Sequence, residues 1–196
     1  MMTTDQNEID EKKRRLRTEM KARRGEIDNS QAAEAARAVI EHIKPFLVNK
    51  KRWHIALYHP VNSEFDALPL AHYLSGKRVR LSLPVIASRD EPMVFRPWQV
   101  DELLVTAVHN IKVPPNKGLS ATPELIIVPL LGFDTNGFRL GYGGGYYDRT
   151  LAQIRAQRRV IAMGLAYDLQ EVGSIPAGIH DQRLDYVLTP LGLKKI

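Results

Sequence analysis

Between residues 132 and 149 the chain reads Gly132-Phe133-Asp134-Thr135-Asn136-Gly137-Phe138-Arg139-Leu140-Gly141-Tyr142-Gly143-Gly144-Gly145-Tyr146-Tyr147-Asp148-Arg149. Four of the 13 glycines fall at Gly141, Gly143, Gly144 and Gly145. A glycine-rich turn that opens a helix lets backbone N–H groups approach phosphate oxygens, and in an open α/β sheet such turns sit in the crevice at the carboxyl ends of strands. Arg139 can neutralise phosphate and Asp148 can hold a magnesium ion, so the segment carries three parts of a phosphoryl-transfer site. Neither familiar loop fits it. Gly132 and Gly137 have Walker A spacing, but Phe138-Arg139 stands where Lys and Ser/Thr belong, and Tyr146 occupies the last glycine of the dinucleotide fingerprint. The other reading of the same glycines is a tight structural turn.

The remaining candidate chemistry is cationic. Lys12, Lys13, Arg14, Arg15, Arg17, Lys21, Arg23 and Arg24 face a single acid, Glu19, while the other 20 cations and 21 acids nearly cancel, so one segment accounts for the formal charge of +6. That points to a local anionic partner rather than a broad basic face. Lys13 and Arg17 lie four apart and share a helical face, which suits a clamp for a triphosphate; a solvated helix face is the alternative. Glu64 could serve a helix dipole instead of a ligand. His59 and His180 lack the spacing of a metal site or a paired base. Trp98 reads as core or rim, and of Tyr146 and Tyr147 helix geometry turns one inward and the other toward a cleft.

These residues need elements to place them. A capping box at Asp5 and Glu8 starts a first helix reaching about Arg24, with Ile9, Leu16 and Met20 on one face. Asp28 or Ser30 caps a second, with a buried stripe of Ala32, Ala36, Val39, Ile40 and Ile43, ended by Pro45. Strands follow over residues 54–59, 78–85, 93–96, 125–129, 159–166 and 186–188, with helices over 64–74, closed by Gly76, and 146–157. Leu125-Ile126-Ile127-Val128 is apolar throughout, as a strand covered on both faces should be, and is the expected sheet centre. The fold predicted is α/β: a single domain over 1–196, layered helix/sheet/helix around a mostly parallel sheet, with the basic helix of residues 1–24 packed on it.

With 44% hydrophobic and 26% charged residues the composition is that of a globular chain. The absence of cysteine excludes disulfides, thiolate metal sites and a cysteine nucleophile. No apolar run is long enough to span a bilayer and the first ten residues lack a signal pattern, so a cytoplasmic protein without membrane partners is expected.

The string Arg139 to Arg149, with Leu125 to Pro129 and Gly132-Phe133-Asp134, resembles the 5-formyltetrahydrofolate cyclo-ligases, also called methenyltetrahydrofolate synthetases. Lys13-Arg14-Arg15-Leu16-Arg17, Glu64, Ala166-Tyr167 with Gln170, and His180-Asp181 with Leu184-Asp185 extend the likeness over nearly the whole chain. The resemblance implies ATP-dependent conversion of 5-formyltetrahydrofolate to 5,10-methenyltetrahydrofolate, with release of ADP and phosphate, by a monomer that takes reduced folate and ATP and no nucleic acid. It implies that ATP is bound by Lys13, Arg17, Arg139, Leu140, Gly141, Tyr142, Gly143, Gly144, Gly145, Tyr146 and Tyr147. Magnesium falls to Asp148 and Asp181, folate to His59, Glu64 and Tyr147, and the catalytic roles to Lys13, Arg139 and Tyr147. One stretch departs from the family pattern Ile-x-Glu/Gln-Pro: Ile111-Lys112-Val113-Pro114-Pro115 lacks the polar side chain, which leaves an adenine or folate contact from that loop unsupported. Rival readings are a related enzyme or small-metabolite kinase with another substrate, which the loop cannot separate because it reads phosphate rather than acceptor, and a basic RNA-binding protein, against which stands the lack of an aromatic recognition motif.

Overall fold

A computed structural model describes residues 4–108 and 111–196, with side chains from residue 7 onward at the N-terminus, so the side-chain capping expected of Asp5 lies outside what is described. Helix α1 spans Thr4–Gly25 and α2 spans Asn29–Leu47. Asp28 caps α2 through a reciprocal box with Gln31, in which Asp28 Oδ1 accepts the Gln31 N–H at 2.9 Å and Gln31 Oε1 accepts the Asp28 N–H at 3.0 Å. Pro45 does not end α2, contrary to the sequence expectation; the helix runs two residues further. A proline in the last turn removes only one i−4 bond, and Phe46 beyond it packs edge-on to Tyr186 at 5.1 Å.

The strands are β1 (His54–Ala56), β2 (Arg80–Val85), β3 (Val94–Trp98), β4 (Val105–Thr106), β5 (Lys112–Val113), β6 (Leu125–Pro129), β7 (Gly132–Phe133), β8 (Arg139–Leu140), β9 (Ile161–Leu165), β10 (Tyr186–Thr189) and β11 (Gly192–Lys195). Two more helices are α3 (Leu68–Ser75) and α4 (Tyr146–Gln157), and a 3-10 turn spans Asp168–Gln170. Seven strands form one sheet in the order β11-β10-β9-β6-β1-β2-β3. The inner five run parallel and the two edge strands antiparallel. β6 is the middle strand, as its uninterrupted apolar run predicted.

Alternation along β6 builds both cores. Leu125 and Ile127 join the cluster beneath α2 and α3, with Val39, Ile43, Leu70 and Leu74. Ile126 and Val128 join the opposite cluster, with Leu151 of α4. Gly164 of β9 admits the close approach of Leu130 and Leu184: a Cβ there would meet their methyl carbons at 2.7 and 2.8 Å.

Boundaries differ from expectation where local chemistry overrides pattern. The third helix starts at Leu68, not near 64, because Glu64 and Val61 close a turn through Glu64 N–H to Val61 O at 3.1 Å. Pro69 lies in the first turn of α3, where a proline is tolerated but disfavours helix for the residue before it. Strand β1 pairs only to Ala56, and Tyr58 then turns inward with its hydroxyl donating to Phe65 O at 2.8 Å. The short pairs β4–β5 and β7–β8 and the edge strand β11 carry no alternating apolar pattern that would announce them.

Candidate active site

Past the end of β6 the chain turns through Leu130 and Leu131 into the hairpin β7–β8. Buried Gln170 anchors this exit, its Nε2 donating to Leu130 O at 2.8 Å and to Leu131 O at 3.1 Å. Fully buried Asp134 closes the hairpin by accepting the N–H groups of Asn136, Phe138 and Ile175, each at 3.0 Å. Gly137 supplies the left-handed residue of that turn at φ 84°. The hairpin delivers the chain to the glycine loop, and Gly145, at φ 66°, caps α4 without a side-chain hydrogen bond. The loop therefore lies at the carboxyl edge of the central strand and opens a helix, the arrangement that suits phosphate.

Helix α1 lies across this edge. Its inward stripe is Lys13, Leu16, Arg17, Met20 and Arg24, spaced at helical period. Met20 and Leu16 form a small apolar cluster with Leu131, Leu140, Phe138 and Ile175, which fixes the helix over the site. The outer cations Lys12, Arg14, Arg15 and Arg23 stay in solvent and pair with Glu8, Glu11 and Glu19 at i−3 or i−4. The basic run thus has a solvated outer face and an inner face turned toward the loop and Asp181.

The inward cations reach three different parts of the site. Lys13 Nζ donates to Asp181 Oδ2 at 2.5 Å. Arg17 Nε donates to Gly141 O at 2.8 Å, and its guanidinium lies against Gly143, whose φ is 103°. Arg24, only 2% exposed, donates to Tyr142 Oη at 2.7 Å, Leu130 O at 3.2 Å and Ser63 Oγ at 3.2 Å. Sequence reasoning missed Arg24 as a site residue, although the spacing 13, 17, 20, 24 marks it on the same face.

Arg139 is buried and donates to Asp148 Oδ1 at 2.7 Å and to the carbonyl of Gln182. The same Asp148 oxygen accepts the Gln182 N–H at 2.9 Å. Asp181 accepts the Gly178 N–H at 2.6 Å through the oxygen that holds Lys13. Asp148 and Asp181 are therefore joined through the adjoining residues 181–182, and in each carboxylate all hydrogen bonds to described residues use one oxygen. The other oxygen of each has no hydrogen bond to a described residue. Among the described residues there is no group of three or more His, Asp or Glu side chains able to hold a metal alone.

On the other side of the loop, Glu64 lies near enough to Tyr147 for its charge to act on the phenol. Glu64 accepts the Val61 N–H at 3.0 Å. Burial raises its pKa above the usual carboxylate range, opposed by the Val61 N–H, the nearby Tyr142 hydroxyl and the Arg24 charge. Burial, with the charge of Glu64 second, likewise raises the phenols of Tyr142, Tyr147 and Tyr58. Tyr147 packs with the α4-side core, while Tyr146 lies beneath the Arg149 guanidinium at 5.0 Å. His59 is half-buried on the loop after β1 with Nδ1 lacking a partner among the described residues. His180 is exposed. Trp98 is a core residue. In the departing stretch, Lys112–Val113 form β5 and Pro114 O accepts from Arg96 at 3.1 Å.

Comparison with known proteins places this geometry. The profile of the 5-formyltetrahydrofolate cyclo-ligase family matches residues 9–190. The 5-formyltetrahydrofolate cyclo-ligase of Haemophilus influenzae is 29% identical over 183 residues, covering 91% of this chain and 97% of its own. That of Mycolicibacterium smegmatis is 36% identical over 144 residues, covering 69% and 73%. Among solved structures, the 5,10-methenyltetrahydrofolate synthetase of Aquifex aeolicus superposes with a TM-score of 0.78 at 25% identity, over 93% of this chain and 92% of that one. That of Mycoplasma pneumoniae does so with a TM-score of 0.70 at 25% identity, over 91% and 98%. With the match running from the basic helix through the last parallel strand, this chain belongs to the 5-formyltetrahydrofolate cyclo-ligase family.

Proposed function

We propose that this protein uses ATP and magnesium to close 5-formyltetrahydrofolate to 5,10-methenyltetrahydrofolate, releasing ADP and phosphate. The observation that carries the reading is the crossing of α1 over the carboxyl edge of β6, which puts Arg17 against the glycine loop that opens α4 and Lys13 on Asp181. A formyl amide oxygen is a poor leaving group. Transfer of the γ-phosphoryl to that oxygen makes it a good one; the ring-substituent nitrogen then attacks the formyl carbon, loses its proton, and phosphate departs. No protein nucleophile is needed, in keeping with a chain that has no cysteine.

The residues divide the work accordingly. The loop from Leu140 to Tyr146, with Lys13 and Arg17, surrounds the phosphates, and Arg139 holds α4 and residue 182 in register with it while contributing charge. Asp148 and Asp181 fit a magnesium ion, since each is anchored through one oxygen and magnesium is usually held by one or two carboxylates together with substrate phosphates. When bound, that ion neutralises charge on the transferring phosphoryl group. Glu64, Tyr147 and the His59 segment face the folate. Orientation of two ligands can supply about 7 to 11 kcal/mol when the geometry is ideal. The test is to mix the purified protein with 5-formyltetrahydrofolate, ATP and magnesium and follow the near-ultraviolet absorbance of the methenyl product. A rise that requires ATP is expected, and its absence would overturn the reading.

A further inference from the structure

The glycine loop is held by its carbonyls, not by its N–H groups. Arg17 Nε of α1 donates to Gly141 O at 2.8 Å, and Arg149 Nη2 of α4 donates to Gly144 O at 2.9 Å. Between these two anchors the N–H groups of Tyr142, Gly143, Gly144 and Gly145 have no acceptor among the described residues. No described peptide bond is cis, and in a planar trans peptide the C=O and the following N–H point in opposite directions. A guanidinium that fixes Gly144 O on one side therefore aims the Gly145 N–H to the other. Arg17 does the same for the Tyr142 N–H.

Several contacts hold the Arg149 side chain in this place. Its Nη2 also donates to Arg89 O, in the connection between β2 and β3, at 2.9 Å, so both hydrogens of that nitrogen are used on carbonyls. The guanidinium lies over the Tyr146 ring at 5.0 Å. It also fills the space a side chain at 145 would need: a Cβ on Gly145 would come within 2.6 Å of Nη1. The next residue repeats the tie to the same connection, since Thr150 Oγ1 accepts the Met93 N–H at 2.9 Å and donates to Tyr146 O at 2.6 Å. A cation near the start of a helix opposes the helix dipole, and here the two carbonyls it holds offset that cost.

Resting on the function proposed above, we infer that Arg149 is a positioning residue for ATP: by drawing Gly144 O toward the β2–β3 connection it turns the Gly145 N–H, at the start of α4, toward the phosphates. It touches no reacting atom itself. Arg17 and Arg149, from two different helices, set the two ends of one row of N–H donors before the nucleotide arrives, so that binding does not have to order the loop.

The experiment labels the 13 glycines with nitrogen-15 and follows their amide resonances as a non-hydrolysable ATP analogue and magnesium are added. In the wild type the Gly145 amide proton is expected to move downfield at saturation, as a proton entering a hydrogen bond to a charged oxygen does. In Arg149→Met, which keeps the bulk and removes the donors, that movement is lost. The same variant is expected to raise KM for ATP about tenfold or more, the weight of one hydrogen bond to a charged oxygen, with KM for the folate within about twofold of wild type. Arg149→Lys keeps the charge on a stem one bond shorter, which withdraws the nitrogen from both carbonyls, and should match Arg149→Met in both readouts. It also carries the test if the methionine variant does not fold. A lysine variant with wild-type KM would make charge rather than orientation the cause and overturn the proposal. A raised KM with an unchanged Gly145 movement would make Arg149 a direct phosphate ligand, which overturns it equally. If the wild type turns over folate while its Gly145 amide ignores the nucleotide, this inference fails alone; if the wild type shows neither turnover nor response, the assigned reaction fails with it.

Discussion

Asp148 serves both the buried Arg139 and the open side of the site, which decides how it should be probed. Alanine would strand a buried guanidinium, and removing one partner of a buried pair is strongly destabilising. Asp148→Asn keeps an acceptor for Arg139 and removes the charge a magnesium ion needs. It is expected to lower turnover by about 100-fold, as loss of one charge-stabilising group commonly does, with a melting temperature within a few degrees of wild type. Wild-type turnover at limiting magnesium would exclude the metal role. Glu64 offers a test with a defined sign. Its folded pKa is raised above 4.5, so between that value and the raised one the native state binds more protons than the unfolded chain, and stability is lost as pH rises through the window. Glu64→Gln removes this loss. Its melting temperature is expected to exceed that of wild type at pH 8 and to match it near pH 4, while folate turnover falls. Equal differences at both pH values would show that burial does not raise this carboxyl.

At the scale of elements, the site depends on α1 staying seated and on the spacing of the strands beneath it. Met20 is fully buried among Leu131, Leu140 and Ile175, so Met20→Ala should cost about 2 to 5 kcal/mol in denaturant unfolding. The same change should raise KM for ATP, because Lys13 and Arg17 are on the helix it anchors. Unchanged KM in the folded variant would separate the helix from nucleotide binding. Gly164→Ala presses a methyl against Leu130 and Leu184 and is expected to cost about 1 to 3 kcal/mol. Since Leu130 O is held by Arg24 and Gln170, the strain is transmitted to the exit that carries the loop. The elements themselves were legible where periodicity was long. Strand β6 and helix α4 follow their sequence boundaries, and Asp28 caps α2 as one of the two residues named for it. Elements of two residues and the turn at Glu64 were not legible, because short pairs have no period to read and a carboxylate-closed turn looks like the start of a helix.

For the whole molecule, α1 carries eight cations against five acids, half of the formal charge of +6, and its inward cations border the proposed phosphate site. Attraction between exposed charges is screened within about 10 Å at 0.1 M salt. KM for ATP is therefore expected to rise several-fold between low and high ionic strength, with kcat little changed; a salt-independent KM would argue that Lys13 and Arg17 do not meet the nucleotide. No helix among the described residues is long and apolar enough to cross a membrane. The amino-acid sequence by itself determined the sheet centre, the placement of the glycine loop before α4, the family, and the shared face of Lys13 and Arg17, because each depends on neighbours within a few turns of chain. Only the tertiary structure decided that Asp148 and Asp181 meet through residue 182, that Arg139 is spent on Asp148 and a carbonyl, and that Arg24 reaches Tyr142 across 118 positions of sequence. Those contacts arise where α1 crosses the sheet edge, and a crossing between distant segments leaves no local period in the chain.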